Sequence, residues 1–271
     1  TGRKEDPSMT VKTLVLTGFG INCDQETHQA FACAGSDVTR VHLSDLLETP
    51  ALLDGAHIFV VPGGFSYGDH VSSGKILANR LRHQLEVPLR QFVEKGKLIL
   101  GICNGFQVLA KMGILPFFDG TVSQEVTLTT NESGRFENRW VHLAVPENTP
   151  CIWLKGITKI ELPVRQGEGK LIVRNDAVRD RLHKEGLVAL RYVRPDGAPA
   201  AGVFPFNPSG AEDDIAALCD PSGRIFGLMP HPEAFLDGMN HPEWTRLGLA
   251  EEGEGLALFR NAVEFARTSL C

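Results

Sequence analysis

Residues 11–112 alternate short, apolar, β-branched runs with segments of helical periodicity, and no other feature of the sequence restricts the fold as strongly. The apolar runs predict strands at 11–17, 37–42, 58–61 and 97–102. Helices are predicted between them at 24–35, 75–94 and 104–111, and Pro88 is expected to kink or split the second. Strands that alternate with helices form βαβ units, so the pattern predicts an α/β fold with a parallel sheet between helices.

The rest of the chain follows a different pattern. Residues 121–145 and 157–173 have the polar alternation of antiparallel hairpins. Later strands are predicted at 187–192, 215–219 and 225–229, and a last helix at 255–270. Since there is no internal repeat or low-complexity linker, we expect one domain over residues 9–271, a doubly wound, mostly parallel sheet with antiparallel excursions. Residues 1–8 are polar and Met9 resembles a native first residue, so we expect residues 1–8 to be a disordered addition.

Composition and charge exclude several classes of function. The chain has 27 Lys and Arg against 33 Asp and Glu, a net charge of −6, and no basic run. This argues against nucleic acid or an anionic membrane as the main partner. The six cysteines include no CxxC pair and no Cys/His cluster at zinc spacing. We therefore expect reduced thiols, a cytoplasmic protein and no metal site.

Two glycine-rich turns follow predicted strands, where the chemistry of an open parallel sheet gathers. Pro62-Gly63-Gly64-Phe65 follows the strand at 58–61, and Gly101-Ile102-Cys103-Asn104-Gly105 lies between a strand and a helix. The second turn has the pattern of a nucleophile elbow with cysteine in the nucleophile position. A cysteine between two glycines is, taken alone, more often a buried structural thiol. The role of Cys103 as a nucleophile therefore depends on what surrounds it.

A thiol nucleophile that attacks a carbonyl group needs donors for the oxyanion and a base. The backbone N–H of Asn104 and that of Gly64 are the predicted donors. Pro230-His231-Pro232-Glu233 follows a predicted strand, and a spacing of two directs both polar side chains to one side. His231 is the predicted base and Glu233 its orienting partner, although a proline-flanked histidine is by itself more often a turn residue. A second His-Pro-Glu, at 241–243, follows no strand and is interpreted as a surface turn.

Three segments together resemble class I, triad-type glutamine amidotransferases. They are the elbow GICNGFQ, the loop PGGFSYGD and the turn PHPE. GFGINCD, SGRFENRW and NPSG add a resemblance to the glutaminase subunits of phosphoribosylformylglycinamidine synthases, of purine biosynthesis. The resemblance extends from Lys12 to the carboxyl terminus. It departs from the family at Gln166, where many members have a histidine before Gly-Glu-Gly.

The resemblance implies the flavodoxin-like class I amidotransferase fold and hydrolysis of glutamine through a cysteine thioester. Cys103, His231 and Glu233 correspond to the triad, and Gln107 corresponds to a position that contacts the bound glutamine. The implied partner is a synthetase subunit that uses the ammonia and ATP to convert formylglycinamide ribonucleotide, with a further small subunit in some complexes. Because the chain has no GxxxxGK[ST] motif, it is expected to hold no cofactor, and ATP and magnesium are expected on the synthetase. One candidate docking surface is the apolar rim formed by Phe65, Tyr67, Phe117 and Phe118.

Other classes remain open from the sequence. A cysteine enzyme of the PfpI-like protease and deglycase type also uses an elbow cysteine, but without PHPE in this position. A non-catalytic glutamine-binding module is a further alternative, although such modules usually lack the cysteine or the histidine. Within the amidotransferases, the alternatives are the glutaminase components of guanosine monophosphate, cytidine triphosphate and carbamoyl phosphate synthetases. PGGFSYGD and GFGINCD argue against these.

Overall fold

Five parallel strands form one half of the central sheet in the computed structural model, which describes residues 10–248 and 251–271. Four of them are the strands predicted from the first part of the chain: β1 (Lys12–Thr17), β2 (Asp37–His42), β3 (Ile58–Val61) and β4 (Leu98–Ile102). They lie in the order β2-β1-β3-β4, and β11 (Ile225–Leu228) extends them beside β4. The predicted α/β fold, a parallel sheet with antiparallel excursions, is confirmed.

The antiparallel excursions extend the same sheet. Beyond β11 the order continues β10-β9-β6-β7, with each neighbouring pair antiparallel. These strands are β6 (Glu137–Ala144), β7 (Lys159–Gln166), β9 (Val188–Val193) and β10 (Ile215–Cys219). A separate antiparallel pair joins β5 (Val126–Thr129) to β8 (Lys170–Val173). The excursions therefore continue the sheet that carries the parallel strands.

Most helices bury an apolar face, whereas the short helix at Trp244–Leu247 has no buried residue. The helices are α1 (Asp24–Cys33), α2 (Leu43–Glu48), α3 (Lys75–Glu94), α4 (Asn104–Met112), α5 (Asp176–Lys184), α6 (Trp244–Leu247) and α7 (Leu256–Ser269). Helix α5 was not predicted from the sequence, although Asn175 caps it by accepting a hydrogen bond from the Val178 N–H. Helix α1 begins at Asp24, as predicted, and Cys23 takes the cap position.

Pro88 does not split α3, so of the two predicted effects only a kink stays a prediction. The helix runs without interruption from Lys75 to Glu94 with Pro88 inside it. A proline within a helix removes one backbone hydrogen bond. Leu85 and Leu89 lie on either side of Pro88 in the sequence, and both are buried in the core. Their packing compensates for the lost hydrogen bond.

The carboxyl ends of β3, β4 and β11 meet at one edge of the sheet, because these three strands are parallel neighbours. The turn at Gly63, the elbow at Cys103 and the turn at His231 follow these ends directly. Within the described residues, no helix combines the length and apolarity needed to cross a membrane. The prediction for residues 1–8 falls outside the described part of the chain.

Candidate active site

Cys103 lies on a strained elbow between β4 and α4. Its backbone has φ 50° and ψ −105°, in a region that costs a residue other than glycine about 1–3 kcal/mol. A hydrogen bond from the Cys103 N–H to the Leu228 carbonyl oxygen, at 2.8 Å, ties this strained residue to the end of β11. Gly105 lets the helix start close against the sheet, since a Cβ there would lie 1.8 Å from the Val61 carbonyl oxygen. The elbow thus holds the Cys103 side chain at the sheet edge, above the start of α4.

His231 and Glu233 form a buried pair at the same edge. The His231 Nδ1 lies 2.6 Å from the Glu233 Oε1, and both residues are at most 4% exposed. The His231 N–H donates to the Pro163 carbonyl oxygen in β7, at 2.8 Å, which fixes the turn against the sheet. Cys103 is a neighbour of the imidazole, because its charge contributes to the raised pKa of His231. Cysteine, imidazole and carboxylate are thereby brought together in the order that the sequence predicted.

The pKa of His231 lies well above its ordinary value. Burial alone would lower this pKa, but the charges of Glu233 and Cys103 both favour the imidazolium and outweigh burial. An imidazolium beside the sulfur is the acid that a departing amine requires. The electrostatics of the pair therefore suit acyl transfer from an amide.

Replacing Glu233 with glutamine should lower the pKa of His231, because it removes the largest influence that raises it. We expect a loss of at least about 10²-fold in turnover, as for other positioned acid–base groups. Protonation of His231 stabilises the fold below the unfolded pKa of about 6.5, and this stabilisation disappears as the pH rises through the higher folded pKa. NMR titration of the imidazole carbon signals measures the shift. An unchanged pKa in the variant would contradict the assignment of Glu233 as partner.

The loop after β3 contains Gly64, the first of the two predicted oxyanion donors. Gly64 has φ +150° and forms an isolated bridge with Ile21. The hydrogen bonds of this bridge run from the Phe65 N–H to the Gly20 oxygen and from the Asn22 N–H to the Gly63 oxygen. The Gly64 N–H is therefore not part of the bridge. A side chain at Gly64 would clash, since its Cβ would lie 2.6 Å from the Gly20 carbonyl oxygen.

Asn104 supplies the second predicted donor and also ties the two loops together. As the first residue of α4, its N–H has no partner within the helix. Its side-chain oxygen accepts from the Ser66 N–H at 3.2 Å, and its amide nitrogen donates to the Gln107 oxygen at 2.8 Å. The Gln107 nitrogen donates to the Glu168 carbonyl oxygen at 2.6 Å. Gln107 thus braces the site in this structure, and its contact with glutamine stays a prediction.

Gln166, the departure from the family pattern, ends β7 behind the nucleophile. It is 2% exposed, and the carbonyl oxygen of its neighbour Arg165 lies 3.7 Å from the Cys103 sulfur. Its amide lies over Gly169, where a Cβ would come within 2.0 Å of the amide nitrogen. The Tyr192 hydroxyl lies nearby, and burial raises its pKa. A neutral amide therefore replaces a titratable imidazole in a buried polar cluster.

Cys23 is the residue of the site that sequence reasoning missed. Its sulfur lies within 4.8 Å of a ring nitrogen of His231, and burial raises the pKa of the Cys23 thiol. The Cys23 N–H donates to the Gly63 carbonyl oxygen at 3.2 Å, which joins the start of α1 to the loop after β3. The signal was present in GFGINCD, which follows β1 at the same sheet edge.

A cavity of about 900 Å³ opens beside the triad. It reaches Glu233 and is also lined by Asn22, Arg165 and Ala234. It provides a path from the surface to the buried pair.

Two sequence interpretations of the surroundings were wrong. The first concerns His241, interpreted as part of a surface turn, which is buried at 4% exposure. Its ring centroid lies 4.5 Å from that of Trp140, and its Nε2 lies 3.5 Å from a Glu161 carboxylate oxygen. The second is the apolar rim, because Phe117 and Phe118 are buried at 9% and 8%. Sequence shows that these rings are apolar but not which elements cover them.

Exposed aromatic surface does occur beside the loop after β3. Phe65 is 45% exposed and lies near Phe136, which is 53% exposed, with 6.3 Å between ring centroids. Tyr67 is partly buried and stacks on Phe19 at 5.0 Å.

An elbow cysteine and a buried histidine–glutamate pair on an α/β sheet define an enzyme of the triad-type glutamine amidotransferase class. Residues 10–266 match the CobB/CobQ-like glutamine amidotransferase domain. The chain belongs to this family, as the sequence resemblance predicted.

Relatives of known name narrow the family further. The chain is 48% identical to phosphoribosylformylglycinamidine synthase subunit PurQ of Dehalococcoides mccartyi, over 95% of this chain and 98% of the relative. It is 38% identical to the subunit of the same name from Methanococcus maripaludis, over 94% and 97% of the two chains. Among solved structures it is similar to a chain of PurLQS from Thermotoga maritima, with a TM-score of 0.68 and 30% identity over 94% and 99% of the two chains.

Proposed function

We propose that this chain is the glutaminase subunit of a phosphoribosylformylglycinamidine synthase and works in the cytoplasm. The observation that carries the proposal is the buried His231–Glu233 pair beside the thiol of Cys103, in a chain with PurQ relatives over nearly their whole length. The pair supports the chemistry, and the relatives support the biological setting.

The first half of the reaction forms a thioester. The Cys103 thiolate attacks the γ-carboxamide carbon of glutamine, and the carbonyl oxygen takes the negative charge. The N–H groups of Gly64 and Asn104 stabilise that charge, and the loss of one such donor typically costs about 3 kcal/mol. The His231 imidazolium gives its proton to the amide nitrogen, the C–N bond breaks, and ammonia leaves.

The second half regenerates the thiol. Neutral His231 takes a proton from water, the water oxygen attacks the thioester carbon, and the C–S bond breaks to release glutamate. The proton taken from water stays on His231, which restores the thiolate–imidazolium pair, and the new γ-carboxylic acid loses its own proton to solvent. Glu233 keeps the imidazole in one orientation and stabilises its charged form through both steps.

Ammonia is useful to a synthetase only while it is neutral, so we propose that it passes directly to a partner subunit. That subunit would bind formylglycinamide ribonucleotide, ATP and magnesium and would convert the ribonucleotide to formylglycinamidine ribonucleotide. The names of the relatives and of the Thermotoga maritima structure support a partner of this kind, and a further small subunit is part of the proposal. The exposed Phe65 and Phe136 rings beside the site are candidates for its contact.

Mixing the chain with its synthetase should give glutamine-dependent synthesis of formylglycinamidine ribonucleotide, with one glutamate released per product. The measurement follows both products in the presence of glutamine, ATP and magnesium. The matched control supplies ammonium in place of glutamine and omits this chain. Glutamate without transfer to this ribonucleotide would favour another amidotransferase, and binding of glutamine without glutamate release would favour a non-catalytic module.

A further inference from the structure

Cys23 has no role in the reaction, yet it forms a cluster with the catalytic pair His231 and Glu233. One ligand atom from each residue, a sulfur, an imidazole nitrogen and a carboxylate oxygen, lies within 4.8 Å of the other two. The Nε2 of His231 and the Oε2 of Glu233 are buried and make no hydrogen bond of normal geometry within the described chain. The Oε2 of Glu233, which the reaction does not use, therefore has unused capacity beside a second thiol.

The backbone leaves room for this cluster at Gly63. A Cβ at Gly63 would lie 2.9 Å from the His231 Cε1 and 3.3 Å from the Cys23 sulfur. Any side chain at this position would separate the thiol from the imidazole. The hydrogen bonds from Asn22 and Cys23 to the Gly63 carbonyl oxygen hold the thiol in place from the other side.

We propose that Cys23, His231 and Glu233 bind a thiophilic divalent cation, Zn²⁺, and that its binding switches the glutaminase off. Thiolate, imidazole and carboxylate are the ligands that Zn²⁺ takes in proteins, at about 2.0–2.3 Å. Atoms within 4.8 Å of one another reach such distances after shifts of about an ångström. The fourth position is left to water.

The large cavity described above gives the cation its path. It reaches Glu233 from the surface, and its wall carries the carboxylates of Asp24 and Glu26 together with the guanidinium groups of Arg40 and Arg165. With Glu233, the carboxylates outnumber the guanidinium groups, so the wall does not repel a cation.

Metal binding and turnover exclude each other. A cation held by His231 and Glu233 would replace the 2.6 Å hydrogen bond that orients the imidazole. His231 would then be a neutral metal ligand and could no longer act as the imidazolium acid that protonates the departing ammonia. The consequence is inhibition by Zn²⁺ that a chelator reverses.

The binding test uses Cd²⁺ as the probe, because the thiolate-to-cadmium absorption band reports sulfur ligation directly. The full chain with Cys103→Ser should still bind one Cd²⁺ and show this band, since Cys23 remains. Cys23→Ser should lose the band and bind at least about 10²-fold more weakly. The matched control is Cys33→Ser on the same helix, whose exposed thiol only accepts a hydrogen bond from Gln29 and should have no effect.

If Cys23→Ser does not fold, the proposal can still be tested on a chain that keeps Cys23. In Cys103→Ser, Zn²⁺ should protect Cys23 from alkylation by N-ethylmaleimide, as mapped by mass spectrometry, and should leave Cys33 reactive. Equal alkylation of Cys23 with and without Zn²⁺ would overturn the proposal. So would a cadmium band that persists in Cys23→Ser and vanishes in Cys103→Ser, because the nucleophile would then be the ligand.

The inhibition test rests on the proposed function. In the assembled complex, Zn²⁺ should inhibit glutamine hydrolysis, and a chelator should restore it. In Cys23→Ser the same Zn²⁺ concentration should leave that variant's own rate unchanged. No glutamine hydrolysis in the untreated complex would count against the proposed function, whereas hydrolysis that Zn²⁺ inhibits equally in Cys23→Ser would count against the metal site.

Discussion

Cys103→Ser should abolish glutamine hydrolysis in the assembled complex and leave synthesis from added ammonium unchanged. The hydroxyl that replaces the thiol is a far weaker nucleophile at neutral pH. Loss of a triad nucleophile costs about 10⁴–10⁶-fold in turnover. The measurement is glutamate release with glutamine, and formation of the amidated ribonucleotide with ammonium. Ammonium bypasses this chain, so the second rate reports an intact complex.

The control for this substitution is Cys33→Ser, which changes the same atom at an exposed position of α1. It should leave both rates as they are. Residual glutaminase activity in Cys103→Ser close to that of the unchanged chain would remove Cys103 from the mechanism. Loss of the ammonium-dependent rate as well would show that the substitution damages the assembly.

The parallel half of the fold was predictable because its signals are local. Buried strands such as Ile58–Val61 are continuous apolar runs, and each ends in a glycine or proline turn. Parallel strands collect their carboxyl ends at one edge, so strand order alone brings the turn at Gly64 toward the elbow at Cys103. Local pattern and a rule of topology were sufficient for this part of the site.

The position of β11 in the sheet could not be predicted from local patterns. Nothing in Ile225–Leu228 says that it pairs with β4, from which more than a hundred residues separate it. Only this long-range pairing places His231 beside Cys103. The family resemblance supplied the link between the two, because it carries information about tertiary contacts that periodicity does not hold.

The sequence alone also could not place Cys23 in the site. Its neighbours in sequence are polar, and its distance along the chain from His231 hides any relation between them. The relation arises because β1 is the parallel neighbour of β3, so the turn after β1 meets the loop after β3. Metal ligands that come from the ends of different strands have no characteristic spacing in the sequence. The sequence therefore predicted no metal site.

The two His-Pro-Glu turns should respond to alanine in opposite ways. His231→Ala should reduce glutamine hydrolysis by about 10⁴–10⁶-fold with little loss of ammonium-dependent synthesis, because it removes the acid and base of both half-reactions. His241 is also buried, but its ring packs on Trp140 and Phe235. His241→Ala should therefore lower the free energy of unfolding by about 1–3 kcal/mol and leave turnover nearly unchanged below the unfolding temperature.

Paired measurements separate catalysis from stability in these two variants. Denaturant unfolding gives the stability of each, and glutamate release at a temperature where both are folded gives the rate. His241→Phe is the matched control, because a ring restores the packing on Trp140 without a titratable group, and it should recover part of the lost stability. A severe loss of turnover in folded His241→Ala, with His231→Ala close to normal, would move the catalytic base to the second turn.

Burial cannot distinguish the two histidines, since both are nearly inaccessible to solvent. What distinguishes them is that only His231 lies beside the sulfur of Cys103 at the end of β11.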